Sequence, residues 1–434
     1  MKQSQSEDES SNSADLKPLY VRSIVSSFGS GTVSPFLSAY SVKLGASASE
    51  MGVYQSISSL APSLMQVPWG KLSDRMGRRV PLIVLGSIIA SVLWIPMMFV
   101  TSANQLIVVI GVQAVYGSMA TPAWTALIGD LVHPSKRGKI AASINRLAGI
   151  GSLLATLVAG YFMILVVGTV QAMFFIPLLV AALLGAVSSL VILLVKEKPH
   201  PDNSSAKSIF SLRDVTKNVK SNPNFLRFCI VSCIFGFFMS FGWPLFTITT
   251  VQVLNASMFE IALLGVIEGA VTIALRPYGG RLVDRVGRRE LMVIYRLGLV
   301  LVPVFYALST SVHHLYMANV IFGVLVAFGD VAMFAYLLDV MPEELRGTLS
   351  AFYNLVTGIV FFSGSLIGGY LGSYFIGIFG LALGLQIVYS MSAIGRIAGA
   401  LAFTTLKEPF RYPTTLKKEL WQVMMKIPSV WERD

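Results

Sequence analysis

Apolar stretches of about 20 residues recur along the whole chain, each long enough as a helix to cross roughly 30 Å of hydrocarbon. They fall at about 19–42, 49–70, 80–101, 105–129, 140–167, 171–195, 225–252, 259–280, 291–311, 314–338, 348–375 and 380–405. None alternates with the period of a barrel strand, so the spans are expected to be helical. Composition agrees: 54% of the residues are hydrophobic and 13% are charged, about half the charged share of an ordinary soluble domain. The expected fold is an all-α integral membrane protein with twelve transmembrane helices. Residues 1–18 are polar and acid-rich with no apolar core, so they read as a tail and not as a cleaved signal.

Placement of charge sets the expected topology. The net charge is +11, which by itself would suit nucleic acid. With twelve spans and the N-terminus inside, however, the 33 lysines and arginines gather in inner segments or near inner helix ends, apart from Lys43 and Arg396. This is a positive-inside bias. It predicts cytoplasmic termini, a multi-pass protein of the cell membrane in contact with lipid, and no nucleic-acid partner.

One charged turn is written twice. Gly70, Asp74, Arg75, Gly77, Arg78 and Arg79 are matched by Gly280, Asp284, Arg285, Gly287, Arg288 and Arg289, 210 residues later. At an offset of 209, Asp130 meets Asp339, Arg137 meets Arg346, Asn145 meets Asn354, Gly149 meets Gly358, Gly160 meets Gly369 and Pro35 meets Pro244. Six spans repeated in parallel is a transporter plan, with the solute site near the midplane between the halves. The division is a tail at 1–18, a six-helix bundle at 19–195, a linker at 196–224, a second bundle at 225–405 and a tail at 406–434. Ile209, Phe210, Leu212 and Val215 in the linker suggest an amphipathic helix on the membrane surface, and Leu416, Leu420 and Trp421 among lysines suggest the same of the last tail.

The doubled turn has the form Gly-x-x-x-Asp-Arg-x-Gly-Arg-Arg, and through it the sequence resembles the major facilitator superfamily from about 19 to 405. The resemblance implies a twelve-helix fold of two pseudo-symmetric bundles that rock about a central site. It implies that Asp74 meets the inner end of the eleventh span when the cytoplasmic side is closed, that Arg78 pairs with Asp130, and that Arg288 pairs with Asp339. These residues would form a latch that biases the conformational equilibrium. The Gly-Pro-x-x-Gly-Gly pattern of proton antiporters is mostly missing from 155–160, where only Gly160 remains. The second half keeps more of it, at Gly364, Gly368 and Gly369.

Ionisable groups at bilayer depth are costly and so point to function. Glu268 in the eighth span and Asp330 in the tenth face Ser58 and Thr121 in the repeat, so the acids belong to the second half alone. They are the candidates for proton coupling, against static ion pairs with Arg276 or Arg396. Arg146 in the fifth span is a candidate for an anionic solute group, against snorkelling to the interface. By resemblance, the cavity-lining spans offer Gln113, Tyr116, Trp124, Trp243, Phe334, Tyr336, Asn145 and Asn354, an aromatic set that suits an amphipathic organic molecule. Cys229 and Cys233 share a helix face and read as buried small residues. No cofactor, metal or catalytic group is expected, nor is more than a monomer. The sequence favours a proton-coupled transporter of a small organic solute, with export slightly preferred over uptake; the alternative of another class is a non-transporting receptor or scaffold.

Overall fold

The computed structural model describes residues 16–195, 197 and 212–408, and these are helical with short connections. The first half runs through α1 (Lys17–Gly31), α2 (Leu37–Lys43), α3 (Ala48–Met76), α4 (Val80–Val92), α5 (Trp94–Met97), α6 (Ala103–Gly117), α7 (Ala120–Leu131), α8 (Pro134–Leu165) and α9 (Val170–Val191). After the linker helix α10 (Leu212–Ser221), the second half comprises α11 (Pro223–Ile248), α12 (Met258–Val286), α13 (Arg288–Gly298), α14 (Leu301–Leu308), α15 (Val312–Asp339), α16 (Arg346–Phe379) and α17 (Leu381–Ala402).

Ten stretches of the described residues are long and apolar enough to cross a membrane, against the twelve expected. The first two expected spans are the exceptions. The first is divided: α1 ends at Gly31, a 3₁₀ turn at Ser34–Phe36 holds Pro35, and α2 follows. The second, α3, is one continuous helix of 29 residues, but its serines and glutamines lower its hydropathy. That polar surface is spent on α16. The Ser49 amide donates to Ser373 Oγ at 2.8 Å, Ser56 Oγ to the Phe362 carbonyl at 2.8 Å, and Asn354 Nδ2 to Gln66 Oε1 at 3.4 Å. Among the described residues these are the hydrogen bonds that join the halves.

The repeat glycines explain how close that approach is. A Cβ at Gly369 would lie 2.6 Å from the Gly52 Cα, and one at Gly160 would lie 2.6 Å from the Ala262 Cβ. Gly358 meets Ser63 and its counterpart Gly149 meets Ile273 in the same way. The halves therefore pack through α3–α16 and α8–α12 by equivalent residues, where small side chains let helices gain van der Waals contact without a hydrophobic drive.

Capping places the helix starts. Ser47 and Glu50 form a capping box at α3, and Ser257 and Glu260 repeat it at α12; each satisfies two otherwise orphaned amides. In the linker, Val215 and Val219 of α10 are buried against Phe225, Cys229, Met341 and Leu349, so this helix packs on the second half. Ile209, Phe210 and the tail beyond Glu408 lie outside the described residues.

Candidate solute and proton-coupling site

The two expected acids lie on neighbouring helices of the second half, and their surroundings differ. Gly323 lets α15 close on α12: a Cβ there would be 2.8 Å from the Glu268 carbonyl. Thr272 Oγ1 bonds the Gly323 carbonyl at 3.2 Å across the same seam. Asp330 is held on both oxygens. Arg276 Nη2 approaches Oδ2 at 3.4 Å, and the Tyr295 hydroxyl donates to Oδ1 at 3.1 Å. Glu268 is partly buried and has no hydrogen bond or ion pair among the described residues. Arg276 thus takes Asp330, and neither Arg276 nor Arg396 takes Glu268.

Arg396 has a different role from the ion-pairing one. It is 1% exposed, and its Nη1 and Nη2 donate to the carbonyls of Leu299 at 2.7 Å and Met239 at 2.9 Å. Pro303 has no N–H, so Leu299 lacks its usual donor four residues on. Arg396 supplies one, at the break between α13 and α14.

The aromatic and amide candidates are dispersed. Asn145 and Arg146 are exposed on α8, and neither has a hydrogen bond or ion pair among the described residues. Tyr116 and Phe334 are exposed as well, Phe334 at 64%. Gln113 donates to the Ala90 carbonyl at 2.9 Å within the first half. Trp243 packs on Phe361 with ring centroids 4.9 Å apart, and Asn354 is used at the α3–α16 seam. Tyr336 is not a cavity residue. It is fully buried against Phe228, and its hydroxyl donates to the Lys407 carbonyl.

Comparison with known proteins settles the family. The sequence profile of the Major Facilitator Superfamily matches residues 19–365 and 254–431. The chain belongs to the major facilitator superfamily. Relatives within it include the putative niacin/nicotinamide transporter NiaP of Bacillus subtilis, 25% identical over 346 residues, 73% of this chain and 78% of that protein. The multidrug resistance protein MdtG of Proteus mirabilis is 26% identical over 359 residues, 80% of this chain and 86% of that one. The crystal structure of the nucleoside transporter NupG superposes with a TM-score of 0.71 at 16% identity, covering 90% of this chain and 99% of that one, a likeness of fold.

The superfamily turn departs in detail from the expected pairing. In the first copy Arg79, not Arg78, reaches Asp130, with Nε 3.5 Å from Oδ2, and its Nη1 binds Asp74 Oδ1 at 2.6 Å. Asp74 has a 73% exposed side chain and is engaged by its own turn instead of by α16. Gly77 has φ +60° and ends α3 in a left-handed turn, which leaves Arg78 exposed and brings Arg79 back over the acid. In the second copy Arg288 pairs with Asp339 and Arg289 with Glu290. Gly287, with φ +103°, needs its glycine. Gly70 and Gly280 do not: a Cβ at either would meet nothing closer than 4.0 Å. Arg75 and Arg285 are exposed, and neither has a hydrogen bond or ion pair among the described residues.

Several residues of the site carry no clear sequence signal. Glu197 accepts from the amides of Arg79 and Val80, and Glu408 from those of Arg288 and Arg289. Each carboxylate sits where the macrodipole at a helix start favours an anion, so the ends of the sixth and twelfth expected spans are tied to the charged turns. The one trace of this in the sequence is Lys-Glu at 196–197 and again at 407–408. Tyr295 and Arg22 are also additions from the structure. Arg22 lies over the Trp124 ring at 4.3 Å.

Proposed function

We propose that this protein is a secondary active transporter of a small organic solute that works by alternating access and couples transport to protons through Glu268 and Asp330. The observation that supports this is the contrast between the two acids. One is clamped by Arg276 and Tyr295, and the other, on the adjacent helix, has no hydrogen bond or ion pair among the described residues. A buried carboxylate without a partner is suited to taking up and releasing a proton, and one with an arginine beside it is suited to switching partners.

The basic end is the cytoplasmic end in this reading, in the cell membrane, with both termini inside. Among the described residues, the hydrogen bonds between the halves lie between Ser49–Ser373 and Asn354–Gln66. Toward the basic end, Arg146, Asn145 and Phe334 are exposed, and the pairs Arg79–Asp74, Arg79–Asp130 and Arg288–Asp339 each lie within one half. This is the arrangement of an inward-open state, with the Asp74 latch released to its local partner Arg79. The latch set (Gly70, Asp74, Arg75, Gly77, Arg78, Arg79, Asp130 and their repeats) then acts on the conformational equilibrium and not on the solute.

Similarity to the protein named as a multidrug resistance protein supports export. Similarity to the one named as a niacin/nicotinamide transporter favours the second reading, uptake of a metabolite. Purified monomer in proteoliposomes tests the proposal. Solute movement with accompanying proton movement supports it; a ligand that binds without any flux of solute or proton would point to a receptor instead.

A further inference from the structure

Arg22 and Arg396 are both buried cations that pair with no carboxylate among the described residues, and their surroundings differ. Arg396 donates from both Nη atoms to backbone carbonyls, with only its Nε left without a partner. Arg22, 8% exposed, has one long bond, from Nη2 to Ser87 Oγ at 3.4 Å; its Nε is buried without a partner and it forms no ion pair among the described residues. A guanidinium keeps its charge when buried, so leaving it half-satisfied is costly.

Arg22 faces a half-open cavity of about 320 Å³ inside the first half, lined by α1, α4, α5, α6, α7 and α9. Its mixed walls carry polar side chains at Ser26, Ser87, Ser91, Gln113 and Ser188. Ser91 and Ser188 donate back to their own helices, and Gln113 donates to the Ala90 carbonyl. Among the described residues, the hydroxyl protons of Ser26 and Ser87 are uncommitted. Donors therefore converge on the space, and no acidic side chain among the described residues lines it.

We infer that this cavity binds an organic monocarboxylate, held on the edge of the Arg22 guanidinium with Ser26 and Ser87 donating to its oxygens. The inference rests on the transporter reading and names a ligand class for a site within the first half, apart from the seam between the halves. One cation neutralises one negative charge, so a dianion would leave charge buried. Trp124 covers the guanidinium face, which leaves the planar N–H edge that matches a carboxylate fork. Trp94 also lines the cavity, and with Ala90, Ala120 and Ala181 it offers apolar surface for an aromatic or short aliphatic remainder.

Isothermal titration of the purified full-length protein tests this with acetate, benzoate and nicotinate, each against its uncharged amide. At least one acid is expected to bind saturably and at least tenfold more tightly than its amide, a comparison that needs no variant. Arg22→Gln should lose tenfold or more of that affinity, and Arg22→Lys less, with thermal unfolding confirming that both variants fold. Saturable binding of none of the acids, equal binding of acid and amide, undiminished binding by Arg22→Gln, or equally tight binding of inorganic phosphate would each overturn the assignment. If any of these occurs while proteoliposomes still carry out proton-linked solute flux, the transporter reading stands and this site falls alone.

Discussion

The Tyr295 hydroxyl donates to Oδ1 of Asp330 at 3.1 Å, and the glycine before the acid is what seats the ring there. A Cβ at Gly329 would lie 2.0 Å from the ring of Tyr295. Gly329→Ala is therefore expected to displace the tyrosine and to cost about 1–3 kcal/mol of stability, as overpacking does. Proton-linked flux should fall with it. Tyr295→Phe keeps the packing and removes only the hydrogen bond, so its thermal midpoint should stay near wild type while flux falls. Equal stability of Gly329→Ala and wild type would show that the seat is not filled as described.

Arg396 and Pro303 make a second test. Arg396→Leu removes two charge-assisted hydrogen bonds, each worth about 1.5–3 kcal/mol, and leaves the Leu299 carbonyl with only the long bond from the Val302 amide at 3.4 Å. Pro303→Ala returns a backbone N–H four residues on. The Arg396→Leu loss should be smaller in the Pro303→Ala background, with a coupling of about 1 kcal/mol in a double-mutant cycle of thermal unfolding. Additive losses would mean that Arg396 is not serving the proline break.

Closure of the α3–α16 seam can be read by cross-linking. In a background of Cys229→Ser and Cys233→Ser, Ser49→Cys with Ser373→Cys should form a disulfide, because the Ser373 side chain already reaches the Ser49 backbone amide at 2.8 Å. Adding Gly369→Leu should cut the yield severalfold, since even a Cβ would press on the Gly52 backbone. An unchanged yield would contradict the role of this glycine in setting the approach.

Much of this architecture is legible in the sequence because duplication leaves a record. The equal offsets of Gly149, Gly160, Gly358 and Gly369 mark the symmetric seams, and hydropathy marks most spans. The polar face of α3 misleads, because serines that bond a partner helix look the same in sequence as serines that would meet lipid. The Asp130 partner differs by one residue from the expected one, since the left-handed turn at Gly77 decides which arginine faces back. Arg22 is in plain view on the first span, but an arginine near the end of a helix is ordinary, and only its burial sets it apart. Tyr295 carries no signal, because its hydroxyl matters only once α13 is laid against α15.

Glu408 gives a pH test away from the membrane interior. Burial raises its carboxyl above the ordinary range, although the Arg289 and Arg288 amides pull the other way. Folding therefore favours the protonated form. That contribution is fully present below the unfolded value and is lost as pH rises through the folded one. Measured against Glu408→Gln, the thermal midpoint of wild type should fall as pH rises above the ordinary carboxylate range. A difference that is flat or rises with pH would contradict the assignment.

The most direct test of the central claim separates coupling from movement in the same proteoliposomes. Solute exchange at equal pH on both sides needs alternating access alone, whereas accumulation driven by a pH gradient needs the coupling acids as well. Glu268→Gln is expected to retain exchange and lose gradient-driven accumulation, and Asp330→Asn to impair accumulation more than exchange. If both variants accumulate solute as wild type does, Glu268 and Asp330 are not the coupling acids, and the proton-coupling mechanism falls.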